Sequence, residues 1–146
     1  METNASTNST TSMELNQNSV KYLSSIQKWT YFFAIVGFIG IVILLLVGLL
    51  AKAIFSAINP QMGAGATVLG VIYIVFALIY FFPVLYLYRF SRFAKQAIQE
   101  NNANLMEEAL RNFKLHFHFI GVLTIAILAL YFVILLGYIL GTIFLG

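Results

Sequence analysis

The chain has 146 residues, of which 61% are hydrophobic and only 9% are charged, and its formal net charge is +3. A soluble domain averages about 25% charged residues, so this composition excludes an ordinary soluble fold. Cysteine is absent, which excludes disulfides, thiol catalysis and cysteine-ligated metal sites.

The first 19 residues are rich in Thr, Ser and Asn and contain almost nothing apolar. Such a segment cannot bury enough surface to offset the entropy lost on ordering, so residues 1–19 are predicted to be a disordered tail. Residues 20–29 are predicted to be a short helix in the membrane interface. Their residues Tyr22, Ile26 and Trp29 share one helical face, and Trp and Tyr favour the headgroup level.

Three long stretches of the remaining chain carry no charged side chain. An apolar run of about 20 residues is long enough for a helix to cross a bilayer. The sequence therefore predicts an all-helical integral membrane protein with three spans, at about 30–51, 65–88 and 119–145. A loop over 53–64 is expected between the first two spans. Pro83 is expected to kink the second span, because proline removes one backbone hydrogen bond.

The basic residues are distributed unevenly about these spans. Only Lys52 lies on the side of the first connection, whereas seven lie on the side of the N-terminus and the second connection: Lys21, Lys28, Arg89, Arg92, Lys95, Arg111 and Lys114. Cytoplasmic segments carry an excess of Lys and Arg, so the N-terminus is predicted to be cytoplasmic and the C-terminus outside.

Residues 89–118 are predicted to form a cytoplasmic amphipathic helical hairpin between the second and third spans. Each arm has an apolar arc, and the two arcs are expected to face each other. The second arm is expected to begin at a cap, Asn104, with Glu107 completing a capping box and also pairing with Arg111. The candidate core of the hairpin is Phe90, Phe93, Ala97, Leu110 and Phe113.

The hairpin is interpreted first as a rigid connector that packs on itself. One alternative is a docking surface for a cytoplasmic partner. The other is a surface that lies on the membrane, where the basic side chains Arg89, Arg92 and Lys95 would contact anionic lipid.

Glycines in the spans offer flat faces that let helix backbones approach closely. The candidate helix-packing residues are Gly37, Gly40, Gly70, Gly137 and Gly141, the last two forming a small-xxx-small motif. Packing within one chain explains these faces as well as homo-oligomerisation does.

No constellation of residues for catalysis, cofactor binding or metal binding is predicted. His116 and His118 lie two positions apart on a helix and point in different directions, so they are interpreted as interfacial histidines. The predicted spans contain no ionisable group of the kind that proton relays and ion pathways use. Neither an enzyme nor a nucleic-acid-binding protein is expected.

Four segments carry a resemblance to a known family: KWTYFFAIVGFIG, YFFPVLYLYR, FSRFAKQAI and NLMEEALRNFKLHFHFIGVLTI. Over roughly residues 20–140 the chain resembles an uncharacterised bacterial family of small three-span integral membrane proteins, a domain-of-unknown-function family. The resemblance implies a bacterial inner-membrane location, and it implies no activity, ligand or partner.

The expected function is therefore that of a non-enzymatic membrane protein, structural or accessory, which packs against itself or against a membrane-protein partner. A small oligomeric channel or transporter and a lipid-interacting envelope protein are the two alternatives. The lipid bilayer is the one partner expected in every case.

Overall fold

The computed structural model describes residues 17–145, and it consists almost entirely of three long helices. Helix α1 spans Gln17–Ile58, α2 spans Gly63–Glu100 and α3 spans Ala103–Leu145. Each contains a stretch long and apolar enough to cross a membrane. At 1.5 Å per residue the helices measure between roughly 55 and 65 Å, about twice the thickness of a hydrocarbon core. The predicted all-helical class, with three helices that could span a membrane, is confirmed.

Helix α1 begins earlier than expected and has no break near the first span. The segment predicted as a separate interfacial helix, 20–29, is continuous with the rest of α1, because no glycine or proline interrupts the chain before Gly37. Of the predicted tail, residues 17–19 form the first turn of α1. Residues 1–16 lie outside the described residues.

The connection between α1 and α2 is shorter than the predicted loop over 53–64. Helix α1 continues to Ile58 and stops there because Pro60 disfavours the helical conformation at Asn59. Asn59 is extended, with φ −142° and ψ 101°, and its Oδ1 accepts the N–H of Gln61 at 3.1 Å. A single 3-10 turn at Pro60–Met62 completes the connection.

Helices α1 and α2 pack along a seam of mostly small residues. The seam is buried on α1 at Gln27, Thr30, Ala34, Ile41, Gly48 and Ala51, and on α2 at Ala66, Gly70, Ala77, Ser91, Ala94 and Ala97. Apart from a gap of fourteen residues between Ala77 and Ser91 on α2, the spacing on each helix is three, four or seven residues, which is the repeat of coiled-coil packing. Small side chains at these positions bring the two backbones close together.

The turn between α2 and α3 contains only Asn101 and Asn102. Asn101 has a positive φ of 48°, and the N–H of Asn102 bonds the carbonyl oxygen of Ala97 at 3.1 Å, which together form a Schellman ending for α2. Asn102 then caps α3, because its Oδ1 accepts the N–H groups of Asn104 at 3.0 Å and Leu105 at 3.3 Å.

Two predictions about the start of α3 are therefore wrong. The cap is Asn102 and not Asn104, because the turn takes two residues and the helix begins at Ala103. The side-chain ion pair joins Arg111 to Glu108, at 3.5 Å, in place of the predicted pair with Glu107.

The buried core of the hairpin lies where all three helices contribute side chains. Phe90 and Ala94 of α2 and Ala109 of α3 are buried together, and Leu23, Phe93 and Phe113 pack against them. The rings of Phe90 and Phe113 lie 4.6 Å apart between centroids. Of the predicted core residues, Phe90 and Ala97 are buried, and Phe93 and Phe113 are partly buried.

Leu110, also predicted for this core, is 53% exposed. The two-residue turn fixes the rotation of α3 about its own axis. As a result, the stripe nearest α2 consists of Ala109, Asn112, Phe113 and His116. Leu110 lies about 100° around the helix from Ala109 and is directed outward.

Helix α3 is in contact with the other helices only along its first half. No Cα atom of α3 lies within 8 Å of a Cα atom of α1, and α3 packs on α2. From Thr124 to Leu140 every residue is exposed. The α1–α2 pair is thus closely packed, while the outer half of α3 has no neighbour among the described residues.

Candidate functional site at the junction of the three helices

A buried polar contact joins α1 to α2 close to the hydrophobic core of the hairpin. Gln27 is 9% exposed and Ser91 is fully buried, and Nε2 of Gln27 donates to Oγ of Ser91 at 3.2 Å. A buried amide or hydroxyl group without a partner is costly, so this bond favours one alignment of the two helices. One turn further along α1, buried Thr30 donates to the carbonyl oxygen of Ile26 at 2.7 Å.

A second polar contact joins α3 to α2. Nδ1 of His116 lies 2.8 Å from the carbonyl oxygen of Pro83. Since a carbonyl oxygen only accepts, Nδ1 carries the hydrogen in this contact. Asn112, one turn before His116, is buried and donates from Nδ2 to the carbonyl oxygen of Glu108 at 2.8 Å.

The two histidines therefore differ in their surroundings. His116 is partly buried and contacts the backbone of α2, whereas His118 is exposed. Among residues 17–145 no group of three or more His, Asp or Glu side chains could hold a metal ion. The contact of His116 with α2 was not predicted from the sequence. The signal for it is the position of His116 one turn after Asn112 and Phe113, on the stripe that faces α2.

Pro83 is buried inside α2, and the helix continues through it. The kink expected at this residue stays a prediction. The hydrogen bond from His116 places the proline directly opposite α3.

Two adjoining pockets lie on the polar side of α2, where its uncharged stretch ends at Tyr88 and its charged part begins at Arg89. The first has a volume of about 450 Å³ and the second of about 400 Å³. Tyr88, Arg92 and Gln96 line both pockets. Arg89 lines only the first, and Lys95 lines only the second. The three cations that the sequence analysis named as lipid-facing are thus brought together on one helical face.

No carboxylate of the described residues forms an ion pair with these three cations. The single ion pair within residues 17–145 is that of Arg111 with Glu108. Glu108 also lines the first pocket, but its carboxylate is directed to Arg111 of its own helix. The pockets therefore have an excess of positive charge.

Aromatic rings lie beside the pockets on the side of the uncharged stretches. Tyr31 of α1 and Tyr88 of α2 have ring centroids 5.9 Å apart, and both residues line the second pocket. Phe38 contacts Tyr88 and Phe81, at 5.9 Å and 6.2 Å. Tyrosine is enriched at the level of lipid headgroups in membrane proteins.

The five glycines named from the sequence fall into two groups. A Cβ added at Gly37 would lie 2.8 Å from Cγ2 of Val84, and one at Gly70 would lie 2.6 Å from the carbonyl oxygen of Gly48, so both face the α1–α2 seam. At Gly40, Gly137 and Gly141 an added Cβ would meet nothing within 4 Å.

Gly48 is a packing residue that the sequence analysis missed. A Cβ there would lie 2.7 Å from Cγ1 of Ile74 and 3.0 Å from the carbonyl oxygen of Gly70. The signal was its seven-residue spacing after Ala34 and Ile41, which places all three on one face.

The geometry defines a protein of three long helices, each able by length and composition to cross a membrane, with a polar junction at one end. Comparisons with models of known protein families, with curated proteins and with solved structures find no significant match to this chain.

Proposed function

We propose that the chain is a non-enzymatic, multi-pass membrane protein that acts by packing against a second membrane-embedded chain, either another copy or a partner. The observation that supports this proposal is the exposure of the outer half of α3, where every residue from Thr124 to Leu140 is exposed. This surface is almost entirely apolar, and α1 and α2 do not cover it.

Insertion in a bilayer gives this surface a suitable environment. Large apolar side chains such as Leu128, Phe132 and Ile134 are each about 60% exposed, which would be unfavourable in water over so long a surface. The backbone of a long helix is hydrogen-bonded internally, which is the requirement for a segment that contacts lipid.

The same surface is suited to helix packing. Gly137 and Gly141 are four residues apart and leave a flat, unoccupied face. The hydroxyl groups of Thr124 and Thr142 donate to carbonyl oxygens of their own helix, both at 2.8 Å. Close van der Waals contact between small residues is a main source of helix association in membranes.

The proposed orientation places the N-terminus and the α2–α3 turn in the cytoplasm and the C-terminus outside, with the bacterial inner membrane as the location. The charge distribution supports it: Lys52 is the one basic residue near the α1–α2 connection, and the other seven flank the opposite ends of the helices.

The first experiment is crosslinking in native membranes, followed by affinity purification and mass spectrometry of the full chain. Self-association through α3 predicts a dimer or higher oligomer, and an accessory role predicts a partner in a fixed ratio. Recovery of an uncrosslinked monomer alone would contradict the proposal.

Two glycine variants make this test specific. Gly137→Leu should reduce the crosslinked fraction several-fold, because leucine fills the flat face. Gly121→Leu is the matched control: an added Cβ there also meets nothing within 4 Å, and the residue lies about 160° around the helix from Gly137. Equal effects of the two variants would contradict a role for the glycine face.

Ion flux by the purified oligomer in liposomes would favour the channel alternative.

A role in lipid interaction is the second candidate function. It is favoured by one specific observation, the two pockets that bring Arg89, Arg92 and Lys95 together on α2.

A further inference from the structure

We propose that the two adjoining pockets on α2 form one binding site for the phosphate group of an anionic phospholipid. The site is defined by Tyr88, Arg89, Arg92, Lys95 and Gln96 and is called the headgroup site below. It rests on the proposed insertion in a membrane and is independent of association through α3.

The cations of the headgroup site lie on one face of α2. Arg92 follows Arg89 by three residues, and Lys95 and Gln96 follow Arg92 by three and four residues, so their side chains leave the helix within one arc of about 120°. Arg92 lines both pockets and therefore lies between the other two cations. This arrangement can direct several N–H donors at one group placed in the shared region.

The donors suit a phosphodiester. Guanidinium groups bind phosphate oxygens with paired hydrogen bonds, and lysine adds a compact positive charge. Gln96 and Tyr88, which line both pockets, are neutral residues that carry hydrogen-bonding groups. A carboxylate from another protein would match the charge but would lack the apolar remainder that the first pocket accommodates.

The first pocket continues from polar to apolar residues in the direction of the uncharged part of α2. Leu85 lines it on that side of Arg89, and Phe93 is a second apolar lining residue one turn after Arg89. Leu85 precedes the first cation of α2 by one helical turn and belongs to the stretch between Lys52 and Arg89 that holds no charge. A phospholipid has the same order of groups, from charged phosphate to glycerol ester and acyl chain.

The depth of the site also fits a headgroup. Tyr31 and Tyr88, which pair at 5.9 Å, mark the end of the uncharged stretches of α1 and α2, and Arg89 is the next residue along α2. In a membrane protein that position lies at the interface, where phosphate groups are concentrated.

The test measures lipid binding to the purified full chain in dodecyl maltoside by native mass spectrometry. Binding of phosphatidylglycerol is compared with binding of phosphatidylcholine that carries the same acyl chains. Binding of inorganic phosphate is measured separately, as that of a soluble anion without acyl chains. The site predicts preferential binding of phosphatidylglycerol and no comparable binding of inorganic phosphate.

Two triple variants with equal loss of charge are compared. The first changes Arg89→Gln, Arg92→Gln and Lys95→Gln. The second changes Lys21→Gln, Lys28→Gln and Lys114→Gln, all exposed and none lining either pocket. The first should lose roughly tenfold to a hundredfold in apparent affinity for phosphatidylglycerol, since each cation near an anionic surface contributes about a fivefold factor. The second should lose much less.

Equal binding of the two lipids, or equal losses in the two triple variants, would overturn the headgroup site. Tight binding of inorganic phosphate alone would replace it with a site for a soluble anion.

Carbonate extraction of membranes is carried out in parallel. A chain that resists extraction but shows no preference for phosphatidylglycerol refutes this site alone, whereas an extractable chain refutes the proposed insertion.

Discussion

Nδ1 of His116 and the carbonyl oxygen of Pro83 lie 2.8 Å apart, which joins α3 to α2 at the position where α2 contains its proline. The contact is a hydrogen bond from a partly buried side chain to a backbone group 33 residues away. It is the main directed polar contact between these two helices among the described residues, and it lies one turn from the ring of Phe113, which packs on Phe90.

Replacing His116 should therefore weaken the attachment of α3. His116→Phe keeps a ring of similar size but removes the donor, and the expected loss is about 1 kcal/mol of the free energy of unfolding. His118→Phe is the control, because His118 is exposed. Unfolding in mixed detergent and dodecyl sulfate micelles measures both, and equal losses would show that the hydrogen bond contributes nothing.

The close approach of α1 and α2 should make Gly70 intolerant of any side chain. In Gly70→Ala the new Cβ would lie 2.6 Å from the carbonyl oxygen of Gly48, so the helices must separate, at a cost of about 1–3 kcal/mol. Gly40→Ala adds the same methyl group where nothing lies within 4 Å, and its effect should be near zero or slightly stabilising. Thermal unfolding of the two variants in detergent compares them. A tolerant Gly70 would contradict the close contact.

The buried pair of Gln27 and Ser91 should show energetic coupling. A double-mutant cycle with Gln27→Leu and Ser91→Ala should give a coupling free energy of about 1 kcal/mol, because each single change leaves the other polar group without its partner. The same cycle with Gln27→Leu and Thr30→Val gives the background, since Thr30 bonds its own helix. Additive effects of Gln27 and Ser91 would mean that the bond does not contribute to stability.

The two candidate caps of α3 can be separated by one pair of variants. Asn102→Ala should cost about 1 kcal/mol of stability, because the N–H groups of Asn104 and Leu105 lose their acceptor. Asn104→Ala should cost little, since alanine is favoured inside a helix. Chemical denaturation in detergent measures the difference, and the reverse order would restore the cap predicted from the sequence.

The proposed orientation can be tested by single cysteines, because the chain contains none. Gln61→Cys, at the exposed α1–α2 turn, should react with a membrane-impermeant maleimide in intact cells. Glu100→Cys, at the exposed end of α2, should react only after the membrane is opened. Labelling in the opposite pattern would reverse the orientation, and labelling of both in intact cells would contradict three spans.

The extent of the helices was largely predictable from local features of the sequence. Long apolar runs without charged side chains predict helix, and the proline at 60 and the asparagines at 101 and 102 mark the two turns. Boundaries were less predictable: interfacial character at 20–29 suggested a separate helix, although nothing in the backbone requires a break there.

Contacts between helices were predicted less well than the helices themselves. They depend on the rotation of each helix about its own axis and on which residues of the neighbouring helix it meets. Leu110 and Ala109 both belong to the apolar arc of α3, and only the two-residue turn decides which of them faces α2. Gly48 has no glycine four residues away on its own helix, and its importance comes from Gly70 across the seam. The basic residues were identified from the sequence, but the pockets between them depend on Tyr31 and Gln27 of another helix.

The contacts of α3 with α2 are concentrated at one end of α3, so a rotation at that end displaces the other end. Its fixed end lies near His116 and its free end near Ile143, a distance of roughly 40 Å along the helix. A rotation of about 10° at the fixed end would therefore move the free end by roughly 7 Å, with no rearrangement of the α1–α2 seam. A small change at the polar junction thus corresponds to a large displacement at the opposite end of α3.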